Sequence, residues 1–429
     1  MPLRRRPSPS AASRRPAGRA AGHDSRTSDR EFRGADRAAG DRDRGYVCGK
    51  LPGQGPRRRP RQGRQQMTSI YRTTGACVAL LTLIWACEAP QGEVEEAADP
   101  QAAIRAQSVE LTPAGPWAEG DQRGNGNTQG PGTWMRCAFH MGKPGAKVYE
   151  LSHPRSMSMP QSPFSPPLEY VYRPTVGIPY TAHAFNGEHL TGGEPGAQGT
   201  QMDALGHFAW LPEPWLGEGD LPADSAMYYG GHTQADVKPT PDSPLLKLGI
   251  EHAPPLVTSA LLLDARAQMG GGDPLQPGQV ITAADIEAML AAQGLAERGI
   301  LPGDVVYIYT GWSDNWNQPP YYAMGPGLGY DAAQMLGEKG VVLVALDNPF
   351  TDPANDGQLM GQAGPPEGTP EGLPFVIHHH NLTQSGVHNI QNANLAELAA
   401  DQVWESCTIV LPLRSVGASG SPVRPIAIG

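Results

Sequence analysis

Asp203 and His207 stand four residues apart in GAQGTQMDALGHF, residues 196–208. On a helical turn that spacing puts a carboxylate and an imidazole on one face. Gln201 and Asp203 are two apart, so on a strand they share a face. A strand running into a helical turn across 201–207 therefore brings all three side chains to one point. Carboxylate and imidazole are ordinary ligands for zinc or manganese. An imidazole beside a metal-bound water also works as a general acid and base. Gly199, just upstream, permits a close backbone approach. Taken alone, Asp-x-x-x-His is also what a buried Asp–His hydrogen bond looks like.

A second stretch, FVIHHHNLTQSGVHNIQNANLAELA, covers residues 375–399. Three adjacent histidines cannot all face one site, and their plainest use is a solvated loop. Gln391 follows His379 by twelve residues. Trp312 and Trp316, in TGWSDNW, follow an apolar run; they either stack on an aromatic substrate or pack their own loop. Asp347 and Asn348 close another apolar run, where α/β sheets often carry site residues.

These residues need elements to position them. GVVLVALD (340–347), GDVVYIYTGW (303–312) and LVTSALLLDAR (256–266) are apolar runs and read as buried strands. CTIVLPLRSVG (407–417) reads as a late strand. TAADIEAMLAAQG (282–294) has a Thr cap, helical spacing and a terminal Gly, so it predicts a helix. DAAQMLGEKG (331–340) and NLAELAADQ (394–402) predict two more. Strands and helices alternate from 256 to 347, which predicts an α/β fold. Residues 109–429 read as one globular domain.

The chain of 429 residues is uneven in charge. Residues 1–66 hold 18 basic and 6 acidic residues and little apolar pattern, which predicts a disordered basic segment. Such an arm either binds nucleic acid or reflects a translated upstream region. Met67 supports the second reading. MTSIYRTTGACVALLTLIWACEAP, which it opens, has the short apolar run of a secretory signal. That run, within 67–87, ends at Cys87 and resembles a lipoprotein signal. It predicts export, to the periplasm or to a membrane anchor through lipidated Cys87, with 88–108 as an acidic tether. Beyond residue 66 there are 15 basic and 37 acidic residues, which argues against a nucleic-acid partner. Cys137 and Cys407 either pair in an oxidising compartment or stay apart.

Taken together, the two chemistry-bearing stretches resemble the cyclase family. These are metal-dependent hydrolases that include bacterial kynurenine formamidase and isatin hydrolase. The family pattern H-x-G-T-H-x-D-x-P-x-H falls on Ala197, Gly199, Thr200, Gln201, Asp203, Leu205 and His207. Its later metal-binding His and Glu fall on His379 and Gln391. LGIEHAPPLVTSALLLDAR, PGDVVYIYTGW and PLRSVGASGSPVRPIAIG also match, so the resemblance runs from about residue 165 to the C-terminus. It implies a swivelling β/β/α fold around a mixed, partly barrel-like sheet, and a homo-oligomer.

The departures fall on the ligands. Ala197, Gln201 and Gln391 replace two histidines and a glutamate, and Leu205 stands where Pro is usual. A neutral amide oxygen is a weaker ligand than imidazole or carboxylate. The resemblance therefore implies one zinc or manganese per chain, held by Asp203, His207 and His379 with Gln201 and Gln391 at the margin. His183 and His232 are candidates to replace a lost ligand. The implied activity is hydrolysis of an amide, cyclic amide or lactone, arylformamidase first, with His207 moving the proton. The alternative is an inactive binding protein for small aromatic or carboxylated molecules.

Overall fold

The computed structural model describes residues 100–194 and 196–429. The basic segment 1–66, the signal-like stretch 67–87 with Cys87, and most of the tether lie outside the described residues.

The four central strands are parallel: Leu256–Asp264, Val305–Tyr309, Leu343–Leu346 and His388–Gln391. The first three are the apolar runs of the sequence, the fourth is the polar HNIQ, and nearly every residue in all four is buried because both faces of the sheet are covered. Alternation divides them cleanly. Val305, Tyr307 and Tyr309 join one core with Leu343 and Ala345; Val306 and Ile308 join a second with Val344 and Leu346. The helices Ala283–Ala292 and Tyr330–Glu338 cover the second core. The first of them starts as its sequence predicts. Thr282 N donates to Asp285 Oδ2 at 2.8 Å, and Asp285 N donates to Thr282 Oγ1 at 3.2 Å.

Antiparallel strands extend the sheet on both sides. Glu405–Val410, Ile426–Ile428 and Val148–Glu150 add to one edge. Gln201–Asp203 and Gly420–Pro422 add to the other. The result is a nine-stranded mixed sheet curled into a half-barrel, as the resemblance implies. The strand expected over 407–417 ends at Val410, just before Pro412, which has no N–H for a ladder.

Helix Pro100–Glu110 packs on helix Pro131–Met141, so residues 100–108 of the stretch read as tether are helical. The second helix is tied to the sheet in two ways. Cys137 and Cys407 are joined as a disulfide. Beside it, Arg136 donates to Ser259 Oγ at 2.7 Å and lies 3.5 Å from Asp304 Oδ1.

Residues 169–191 form two small antiparallel ladders, Glu169–Tyr172 with Glu188–Thr191 and Val176–Gly177 with Ala184–Phe185. Their side chains are almost all exposed. No described helix is long and apolar enough to cross a membrane.

Candidate functional site

Strand Gln201–Asp203 pairs antiparallel with His388–Gln391, and Gln201 stands directly opposite Gln391. Met202 and Ile390 enter the first core. Alternation therefore turns Gln201, Asp203 and Gln391 to the other face. After Asp203 the chain enters a single 3-10 turn, Leu205–His207, which brings the imidazole back over the carboxylate. The expected strand-to-helix junction is thus observed. Gly199, at φ +71°, makes the preceding turn. Thr200 Oγ1 anchors it by donating to Asn392 O at 2.6 Å.

The third member of the cluster is His378. One ligand atom each from Asp203, His207 and His378 lie within 4.8 Å of one another. The expected residue was His379, so the assignment moves by one position. Helix Val376–His379 buries Val376 and Ile377 in the second core. Asp352 then fixes its rotation: one carboxylate oxygen accepts from Ile377 N at 2.5 Å and the other holds His378 Nδ1. His378 Nε2 is thereby aimed at Asp203 Oδ2, 3.4 Å away. One step further round the helix, His379 points to another cavity and meets Trp210, ring centroids 6.1 Å apart. Thirteen residues now separate the histidine from Gln391 in place of twelve. The π-helical turn His380–Ser385 between them is the kind of turn that takes up one residue more than an α-turn.

Charge at the cluster is set by burial against neighbours. Burial would raise the Asp203 carboxyl, but His207 and His378 outweigh it and hold it below the usual range. Burial lowers His207 against the opposing pull of Asp203, which favours a neutral imidazole. For His378 the carboxylates of Asp352 and Asp203 overcome burial and hold it up at about 10. The Gln391 amide donates to Asp203 Oδ2 at 2.6 Å.

At this site three buried oxygens have no hydrogen-bond partner among the described residues: Asp203 Oδ1, Gln201 Oε1 and Gln391 Oε1. All three belong to residues that line one cavity. Buried unpaired oxygens are costly unless something satisfies them. A divalent cation would do so, and a carboxylate, an imidazole and two amide oxygens are donors it accepts. The residues present therefore fit a metal. Asp352 behind His378 is the carboxylate that orients a metal-binding imidazole.

The cluster floors a cavity of about 210 Å³. Its walls are aromatic: Phe164, Phe208, Tyr322, Phe350 and Phe375. Glu194 and Ala197 complete one side. Sequence reasoning missed these walls, because they come from four separate loops and carry no common spacing. It also missed Asp352, whose only signal is its place a few residues beyond a strand end.

Other expected residues lie elsewhere. Trp312 does not line the cavity. It is buried in a cluster with Tyr321, Tyr322 and Phe350, its indole donating to Tyr321 O at 3.3 Å. Trp316 stacks on His153, centroids 4.1 Å apart. Both tryptophans thus pack the loop that supports Tyr322. Asp347 binds Thr310 and Ser313, and Asn348 binds Pro326 O, so both close the strand ends. His183 is exposed on the hairpin segment, and His232 is buried against Gly120 O. Neither replaces a ligand.

A half-barrel α/β sheet with a buried carboxylate–imidazole cluster beneath an aromatic cavity defines a hydrolase-like site on a known scaffold. The family model described as Putative cyclase matches residues 149–353, just under half of the chain, and supports a cyclase-family member. A solved structure described as a novel cyclase is 26% identical, with a TM-score of 0.59, over 75% of this chain and 99% of that one. Kynurenine formamidase of Bacillus cereus strain ATCC 14579 is 35% identical over 101 residues, 24% of this chain and 39% of that protein. The Bacillus cytotoxicus kynurenine formamidase is 32% identical over 114 residues, 27% of this chain and 45% of that protein. The chain thus matches less than half the length of these curated relatives.

Proposed function

We propose that the chain is a metal-dependent hydrolase of amides, cyclic amides or lactones with an aromatic group, with aryl formamides as the first class to test. The observation that carries this reading is the convergence of Asp203, His207 and His378 with three unpartnered oxygens under an aromatic cavity. The kynurenine formamidase relatives support the aryl-formamide class.

Asp203 and His378, with the amide oxygens of Gln201 and Gln391, would hold one zinc or manganese. Bound there, the ion would supply Lewis-acid activation of a water and of the substrate carbonyl. The chain does the rest. The aromatic walls hold the substrate ring and exclude bulk water. The His207 imidazole makes no hydrogen bond to protein among the described residues and burial favours its neutral form, so a ring nitrogen is free to accept the proton of the attacking water. The same nitrogen returns it to the leaving nitrogen or oxygen as the acyl bond breaks.

The test pairs two measurements on one untagged sample. Elemental mass spectrometry counts metal per chain, and a panel of aryl formamides, cyclic amides and lactones is assayed for hydrolysis. One ion per chain with turnover of any of the three classes supports the reading. Absence of turnover from a fully loaded protein overturns it.

A second reading has a specific observation behind it. Gln201 and Gln391 lower the charge and donor strength of the site, which suits a binding protein for small aromatics without turnover. Gln391→Glu separates the two. It sets a second carboxylate 2.6 Å from Asp203, where like charges repel without a cation and are bridged with one. We expect the metal-free melting temperature to fall and the rise on adding zinc or manganese to widen, with affinity up about tenfold or more. Differential scanning fluorimetry with and without metal measures both. In an enzyme turnover survives the change; in a binding protein none is seen.

A further inference from the structure

We propose that the cavity behind the Phe208–Phe375 wall is a second binding site, for a planar aromatic molecule without negative charge that carries one hydrogen-bonding group. It accounts for the one histidine of the His378–His379–His380 run that the metal-site reading leaves over. His378 enters the metal cluster, and His380 packs edge-on against Tyr330 at 5.5 Å. His379 lines this outer cavity instead.

Four observations converge. The cavity measures about 470 Å³, more than twice the inner one. Small-molecule sites commonly span about 300–1,000 Å³, so the outer space is of ligand size and the inner one holds only a small group. The lining is aromatic. Trp210 and Trp215 line it, and Trp215 remains 47% exposed, its indole N–H donating to Glu218 O at 3.3 Å. Ring faces of this kind stack on planar π-systems. One imidazole lines it, that of His379, whose Nδ1 has no hydrogen-bond partner among the described residues. A ligand donor or acceptor would pair with this imidazole. Finally, no Lys or Arg lines the cavity, whereas Glu371 does, so an anion meets only repulsion.

The two cavities share Phe208 and Phe375, whose ring centroids are 6.2 Å apart at 70°. The outer site therefore abuts the metal cluster without containing any member of it. Its existence does not depend on turnover, and the test reads binding alone.

The probe is 4-fluorobenzyl alcohol, neutral and planar with one hydroxyl, followed by fluorine NMR line broadening on the full chain. Saturable binding below about 10 mM is expected. Trp210→Ala and Trp215→Ala should each weaken it about tenfold, and His379→Ala about threefold. Trp215 is exposed, so its variant keeps the fold even if Trp210→Ala does not. Ala197→Phe fills the inner cavity and should leave the affinity within about twofold. The proposal is overturned if the wild type shows no saturable binding. It is equally overturned if binding survives both tryptophan changes, or is lost in Ala197→Phe, which would place the probe in the inner cavity.

Discussion

Asp203→Ala is expected to remove metal and turnover together, whereas His207→Ala should remove turnover and keep the metal. Asp203 is the only carboxylate within the cluster, is 1% exposed, and has an unpaired Oδ1 in the cavity that Gln201 and Gln391 also line. Without it the remaining donors are imidazole and neutral amide oxygens, too weak to hold a dication of zinc or manganese at ordinary concentrations. Elemental mass spectrometry should fall from about one ion per chain to none. Hydrolysis should fall at least about 10²-fold. The fold should survive, because Asp352 still pairs with His378 after the change. In His207→Ala the Asp203–His378–Gln391 group stays in place, so metal content should be retained. Loss of the proton carrier should lower kcat about 10²–10⁴-fold with a small change in KM. Equal metal loss in both variants would show His207 to be a ligand and not the proton carrier. Undiminished turnover in His207→Ala would remove the proposed mechanism.

The largest stability effect should come from Asp304, far from the chemistry. This carboxylate is fully buried at the start of strand Val305–Tyr309. It is paired with Arg298, lies 3.5 Å from Arg136, accepts from Ser259 Oγ at 2.5 Å, and accepts from Leu301 N at 2.8 Å. Arg298 in turn donates to Glu405 at 3.1 Å. Replacing both charges of a buried pair with well-packed apolar groups is often harmless, but removing one leaves the other stranded. Asp304→Ala strands two guanidinium groups and should cost about 3–5 kcal/mol. The melting temperature should drop by about 5–10 °C. Arg424→Ala is the control. It breaks the Arg424–Glu150 pair, in which Arg424 is 81% exposed, and should leave melting unchanged.

Asp304 also has a pH signature. Burial alone would raise its pKa, but Arg298 and Arg136 outweigh burial and hold it below the ordinary 3.8. A depressed folded-state pKa contributes stability that is fully present above the unfolded value. That stability is lost as the pH falls through the lower folded value. The wild type should therefore lose stability steeply below about pH 4, and Asp304→Asn should show a shallower acid slope from a lower plateau. Chemical denaturation at a series of pH values measures both. Equal slopes would show that the charge of Asp304 contributes nothing.

The central strands and the helices after them were legible because their information is local. VVYIY in GDVVYIYTGW and VVLVAL in GVVLVALD are unbroken apolar or aromatic runs rich in β-branched residues, and a strand covered on both faces makes use of that. The Thr282–Asp285 cap is likewise written within four residues. The Gln201–Asp203–His207 convergence was legible for the same reason, since it needs only alternation along a strand and one helical turn.

The sequence by itself thus determined the α/β class, the main strands and the half of the site that lies in one short stretch. What it left open depended on rotation and distance. Which histidine of 378–380 enters the cluster was decided by Asp352, more than twenty residues away, gripping Ile377 N and His378 Nδ1 while Val376 and Ile377 sink into the core. Trp312 went into a buried aromatic cluster with Tyr321, Tyr322 and Phe350, and Trp316 into a stack on His153, partners that come from outside their own short motif. The cavity walls gather rings from residues 164 to 375, and the Cys137–Cys407 bond joins positions 270 residues apart. Contacts of that span are made by packing, and packing is a property of the folded surface that no local spacing encodes.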